Sequence, residues 1–75
     1  METSKTYYVV ENLDSVGFFL ILDNADDNPK FTRVADEISK YSSRGLAETI
    51  VDRVKSKGFT IELKVRQMEI IYKIN

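Results

Sequence analysis

Between residues 59 and 74 the alternation of apolar residues changes phase, and this constrains the fold more than any other feature of the sequence. Odd positions hold Phe59, Ile61, Leu63 and Val65, and even positions then hold Met68, Ile70, Tyr72 and Ile74. Successive strand side chains point to opposite faces, so one regular strand cannot hold both sets on one face. A two-residue turn at Arg66–Gln67 would place both sets on one face of a hairpin. A β-bulge in one long strand is the alternative, because Arg-Gln lacks the Asn or Gly that tight hairpin turns favour.

The segment before this one has the periodicity of a helix. Apolar residues recur at three- and four-residue spacing between residues 43 and 57, which predicts a helix with one apolar stripe. Ser42 or Ser43 is the expected N-cap, since its hydroxyl can accept a free N–H of the first turn. Gly58 followed by Phe59 predicts a Schellman stop. The stripe consists of Leu46, Ala47, Ile50, Val51 and Val54.

Two strands are predicted near the N-terminus, Thr6–Glu11 and Phe18–Leu22, joined by turn-forming residues. If Glu11 and Phe18 flank the turn, each face of this hairpin carries four apolar side chains, which is typical of strands buried on both sides. One face then holds Tyr7, Val9, Leu20 and Leu22, and the other holds Tyr8, Val10, Phe19 and Ile21.

A single helix covers only one face of a sheet. Residues 31–41 are the only other segment available for the second face. They are few and polar, so we expect them to be insufficient. The outer face of the hairpin is therefore a candidate interface. The sequence leaves open which of the two sets faces the helix; if the second set is outward, the interface consists of Tyr8, Val10, Phe19 and Ile21.

Within residues 31–41, Val34, Ile38 and Tyr41 have helical spacing, which predicts a short helical turn after an extended entry. The predicted fold is α+β. It is a small β-β-α-β-β domain in which one antiparallel sheet packs on a single main helix, with the short turn before it. Residues 1–75 form a single domain.

The chain of 75 residues contains neither cysteine nor histidine. This excludes disulfides, thiolate and imidazole catalysis, and most zinc, haem and iron–sulfur sites. The acidic run Asp23–Asn28 matches two of the five EF-hand positions, so a solvated turn is the better interpretation. We expect no catalytic residue, no metal and no cofactor. Because so small a core rarely supplies more than about 3–5 kcal/mol, self-association as a homodimer is favoured.

The two halves of the chain differ in charge. Residues 1–38 carry a net charge of -5 and residues 39–75 a net charge of +4. The alternative function is therefore a small nucleic-acid-binding module in which the exposed rings of Tyr8 and Phe19 stack on bases. Acidic residues interspersed among the basic ones favour an ordinary solvated surface instead. The candidate phosphate contacts are Lys40, Arg44, Arg53, Lys57, Lys64 and Arg66.

One further pattern spans most of the chain: Tyr7–Val10, then Phe31-Thr32, the segment from Ile38 to Val51, and Gly58-Phe59. It resembles small, mostly uncharacterised proteins encoded by phages and prophages of Gram-positive bacteria. The resemblance implies a genomic setting and a fold, and no activity. Together with the residues, it predicts a non-enzymatic accessory protein that acts by protein–protein interaction, with itself or with a host or phage protein.

The expected location is the bacterial cytoplasm, with no membrane partner. The first residues lack the basic and apolar regions of a signal peptide. The longest apolar run, Phe18–Leu22, has five residues, far fewer than the roughly 20 that span a bilayer.

Overall fold

The structure, a computed structural model, describes residues 2–21 and 29–73. It confirms the α+β class, with one antiparallel sheet, a single main helix and a short 3-10 turn before the helix. The order along the chain is β-β-β-α-β, whereas β-β-α-β-β was predicted. The acidic run Asp23–Asn28 lies outside the described residues. The sheet order is β3-β2-β1-β4, and the elements are β1 Glu2–Asn12, β2 Phe19–Ile21, β3 Lys30–Thr32, the 3-10 turn Ala35–Glu37, α1 Arg44–Ser56 and β4 Leu63–Lys73.

The C-terminal segment is one strand, so the predicted hairpin at Arg66–Gln67 is wrong. β4 pairs with β1 in a constant register from Asn12↔Leu63 to Glu2↔Lys73, with neither a turn nor a bulge inside the described strand. The apolar positions do change from odd to even. The hairpin and the bulge, however, both assumed that the apolar side chains before and after this change lie on the same face of the sheet. In the structure the apolar side of the strand changes along its length.

Helix α1 begins and ends close to the predicted positions. The Ser43 hydroxyl accepts a hydrogen bond from the N–H of Leu46 (3.2 Å) and caps the first turn. Ala47, Val51 and Val54 are buried against the sheet, where they form the core with Val10, Leu20 and Leu63. Leu46 was predicted in the apolar stripe but is 46% exposed, because it lies at the margin of the stripe.

The helix ends at the predicted glycine. Gly58 has a φ of 90°, and its N–H donates to the carbonyl of Lys55 (3.0 Å), one of the two bonds of a Schellman motif. A Cβ added at Gly58 would meet nothing within 4 Å, so a substitution there strains only the backbone.

We expect Gly58→Val to lower the free energy of unfolding by about 1–2 kcal/mol, because a β-branched residue resists a positive φ. Urea unfolding followed by circular dichroism measures the loss. Gly58→Asn is the matched control, since asparagine tolerates the left-handed region and should lose less. Equal losses in the two variants would contradict this explanation of the helix end.

The first hairpin has a register one residue away from the predicted one. Asn12 rather than Glu11 pairs with Phe18: the N–H of Asn12 donates to the Phe18 carbonyl (2.9 Å), and Glu11 lies opposite Phe19. The Asn12 side chain also accepts from the N–H of Asp14 (2.9 Å), and this bond holds the start of the turn. Phe19 therefore shares a face with Glu11 and Val9, and Leu20 shares a face with Val10.

The face of the sheet away from α1, called the second face here, is covered around Val9, which is 1% exposed. Thr32 lies on that face opposite Phe19, and its hydroxyl donates to the Glu37 carboxylate (3.2 Å). The chain then rejoins the sheet at Tyr41, which exchanges two backbone hydrogen bonds with Tyr8 (2.8 Å each). Residues 33–40 thus cover this part of the second face, contrary to the expectation that they would be insufficient.

Candidate interaction surfaces on the β1–β4 ribbon

Strands β1 and β4 form a ribbon of eleven residue pairs that extends past the helix. The described residues measure 47 × 23 × 23 Å, and the ribbon gives the protein its long axis. The core cluster contacts the ribbon from Tyr8 to Val10 and from Leu63 to Val65. Residues 2–7 and 68–73, called the distal ribbon here, lie beyond that cluster, so this end of the sheet is only two strands wide.

The change of phase in β4 marks the point where the ribbon leaves the core. Leu63 and Val65 face α1, whereas Met68, Ile70 and Tyr72 lie on the second face. Tyr7, which pairs with Met68, lies on that face as well. The distal ribbon therefore carries an apolar surface on the side away from the helix. We call this surface the distal patch, and it consists of Tyr7, Met68, Ile70 and Tyr72.

The distal patch is partly open to solvent and contains polar groups at its surface. Tyr72 is 44% exposed, and a hydrogen bond to Tyr7 raises the pKa of its phenol above the usual value. The Lys5 ammonium lies 5.7 Å from the centre of the Tyr7 ring, within cation–π range. The patch therefore offers aromatic and aliphatic contact area and two phenol hydroxyls, with the Lys5 cation directly across the ribbon from Ile70.

The predicted interface set does not form one surface. Val10 is fully buried in the core, and Tyr8 lies on the same side, with the Arg44 guanidinium 5.3 Å from its ring centre. Phe19 and Ile21 lie on the second face, half-buried. The register shift in the first hairpin separates the two pairs, so the prediction that Tyr8, Val10, Phe19 and Ile21 share a face is wrong.

The candidate nucleic-acid contacts are also dispersed. Arg66 lies on the second face, where its Nε donates to Glu11 (2.9 Å), whereas Arg44 lies on the α1 side. The Lys40 ammonium donates to the Ala35 carbonyl (3.2 Å). The rings of Tyr8 and Phe19 are on opposite faces of the sheet, so they cannot stack on neighbouring bases of one strand. The other three candidates are Arg53 on α1, Lys57 after its end and Lys64 on β4.

A groove of about 400 Å³ lies between α1 and the outer edge of β4. Its floor is apolar, and its rim along the helix carries one basic residue followed by two acidic residues. The sequence carried a signal for this rim, since residues 44, 48 and 52 are charged and lie four apart on one helix face. The floor consists of Val51, Leu63 and Val65, the rim along the helix consists of Arg44, Glu48 and Asp52, and Lys64 borders the groove at the edge of β4.

The outer edge of β4 offers backbone hydrogen-bonding groups. Leu13 donates its N–H to Glu62 (2.9 Å), and bonding alternates residue by residue along an antiparallel pair, so the even residues of β4 bond inward to β1. The odd residues from Leu63 to Lys73 point their N–H and C=O groups outward. Since β4 is at the end of the sheet, none of the strands in the described part of the chain pairs with this edge.

Comparisons with models of known protein families, with curated protein sequences and with solved structures found no match. None of the helices in residues 2–21 and 29–73 is both long and apolar enough to cross a membrane.

Proposed function

We propose that this chain is a non-enzymatic protein that acts through protein–protein contact and forms a homodimer. The observation that carries the proposal is the distal patch, an apolar surface on the part of the sheet that neither α1 nor residues 33–40 cover. Exposed apolar patches on small proteins commonly mark interaction sites. The resemblance to phage and prophage proteins favours an accessory role in the cytoplasm of a bacterial host.

The distal ribbon gives a physical reason for self-association. A two-stranded ribbon is marginally stable alone in water, whereas three or more strands with an apolar face are stable. A chain of 75 residues without cysteine or histidine also lacks the crosslinks that stabilise many small domains. Contact with a second copy supplies the missing support through mass action.

Ile70→Lys tests this proposal, because it places a charge in the distal patch. We expect the unmodified protein to sediment as a dimer at tens of micromolar, and the variant to dissociate with a dissociation constant raised by roughly tenfold or more. Sedimentation equilibrium measures both.

Val16→Lys is the matched control, since Val16 is 82% exposed in the turn between β1 and β2 and lies outside the ribbon. It should leave the dissociation constant within about twofold, as surface substitutions away from an interface usually do. A strictly monomeric unmodified protein at tens of micromolar would refute self-association.

A further inference from the structure

We infer that two copies pair through the outer edges of their β4 strands, antiparallel about a twofold axis at Met68, so that the end of each β4 enters the partner's groove between α1 and β4. This inference rests on the proposed self-association and names its geometry. The partner is a second copy of this chain. The result is one continuous eight-stranded sheet.

The register follows from symmetry and from the backbone. A twofold axis perpendicular to a sheet preserves its faces, so each residue must pair with one of the same parity. β4 runs from Leu63 to Lys73, so an axis at Met68 is the register in which all eleven residues overlap. The outward-pointing groups then meet one another: Val65 lies opposite the partner's Ile71, and Gln67 lies opposite the partner's Glu69.

The groove between α1 and β4 is complementary to the strand that would enter it. Helix α1 begins over Tyr8, the cross-strand partner of Gln67, and ends near the start of β4. The partner's Glu69, opposite Gln67, therefore approaches Arg44. The partner's Lys73, opposite Leu63, approaches Asp52. Each entering charge thus meets the opposite charge on the rim.

Ile71 is explained by the same register. It is 60% exposed and is the apolar member of an otherwise polar distal face. Opposite the partner's Val65, it would lie on the apolar floor of the groove. In this register the exposed side chain of Ile71 fills the apolar groove of the partner. Twofold symmetry forms the same contact a second time.

The second face of the paired sheets also fits. Met68 packs on the partner's Met68 at the axis, and Ile70 lies beside the aliphatic stem of the partner's Arg66. Tyr72 lies opposite the partner's Lys64, a cation–π arrangement. The two distal patches become neighbours, and the distal end of each ribbon is supported by the well-packed half of the other.

Single cysteines test the register directly, because the chain contains no cysteine of its own. With the axis at Met68, the two copies of Met68→Cys lie opposite each other within disulfide distance. Under mild oxidation this variant should form a covalent dimer at least about tenfold faster than Ile70→Cys. The two copies of residue 70 would lie four residues apart along the paired strands, about 13 Å. Non-reducing gel electrophoresis follows both reactions.

A charge exchange tests the groove. Arg44→Glu alone and Glu69→Arg alone should each raise the dissociation constant of the dimer by about tenfold, because each replaces two symmetric attractions with repulsions. The double variant should return it to within about threefold of the unmodified value. Circular dichroism of the variants checks that the fold is retained.

The outcomes separate this inference from the proposed function. A monomeric unmodified protein refutes both. A dimer in which Ile70→Cys crosslinks faster than Met68→Cys, or in which the double charge exchange fails to restore association, overturns the β4 pairing and leaves self-association standing. Fast crosslinking at position 68 together with restoration supports the pairing.

Discussion

Leu20→Ala is expected to lower the free energy of unfolding by roughly 2–5 kcal/mol, the range for deletion of a buried leucine side chain. Leu20 is 0% exposed and lies in the core cluster with Val10 and Ala47. A domain of this size often has only about 3–5 kcal/mol of total stability. The variant should therefore be largely unfolded, with lost ellipticity and no cooperative urea transition.

Leu13→Ala is the control for this prediction. The same Leu-to-Ala change is made there at a residue in the turn that is 41% exposed. This variant should lose no more than about 0.5 kcal/mol of unfolding free energy. If both variants unfold at the same urea concentration, Leu20 does not lie at the centre of the core, and this prediction is wrong.

Val9→Asp should be as damaging as the loss of Leu20. Val9 lies on the second face, yet it is almost completely buried, and Glu11 lies two residues away on the same face. A carboxylate placed there loses its hydration, and the cost is several kcal/mol. We expect the variant to be unfolded at neutral pH. Circular dichroism and the dispersion of amide signals in NMR spectra measure the loss of structure.

Val16→Asp is the matched control, because Val16 occupies an exposed turn and should tolerate the charge. A folded Val9→Asp protein would show that residues 33–40 do not close over Val9 in solution. The second face would then be open along its whole length, rather than only at the distal ribbon.

Local features of the sequence predicted the helix well because its determinants lie within it. The apolar spacing, the Ser43 cap and the positive φ of Gly58 depend on residues a few positions apart. The α+β class follows from the same kind of information, since strand and helix periodicities are local. The predicted helix, residues 43–57, and the observed helix, Arg44–Ser56, accordingly differ by one residue at each end.

The strand registers and the candidate site required contacts between distant parts of the chain. The side-chain bond of Asn12 to Asp14 and the pairing of Asn12 with Phe18 shifted the first hairpin by one residue. That single shift divided the predicted interface between two faces. The sequence showed the charged helix face that forms the rim of the groove, but not the groove itself, because the floor comes from both α1 and β4.

The sequence alone determined that the apolar alternation changes phase after Val65, and that α1 has one apolar stripe. Only the tertiary structure decided what the change of phase means. A period of two reports which side chains share a face, but it does not report which layer lies against that face. The layer depends on how far α1 reaches along the ribbon, and α1 covers β4 only near Leu63 and Val65. Of the apolar residues in the described part of the strand beyond that point, Met68, Ile70 and Tyr72 face the opposite side, and Ile71 alone stays on the side of α1.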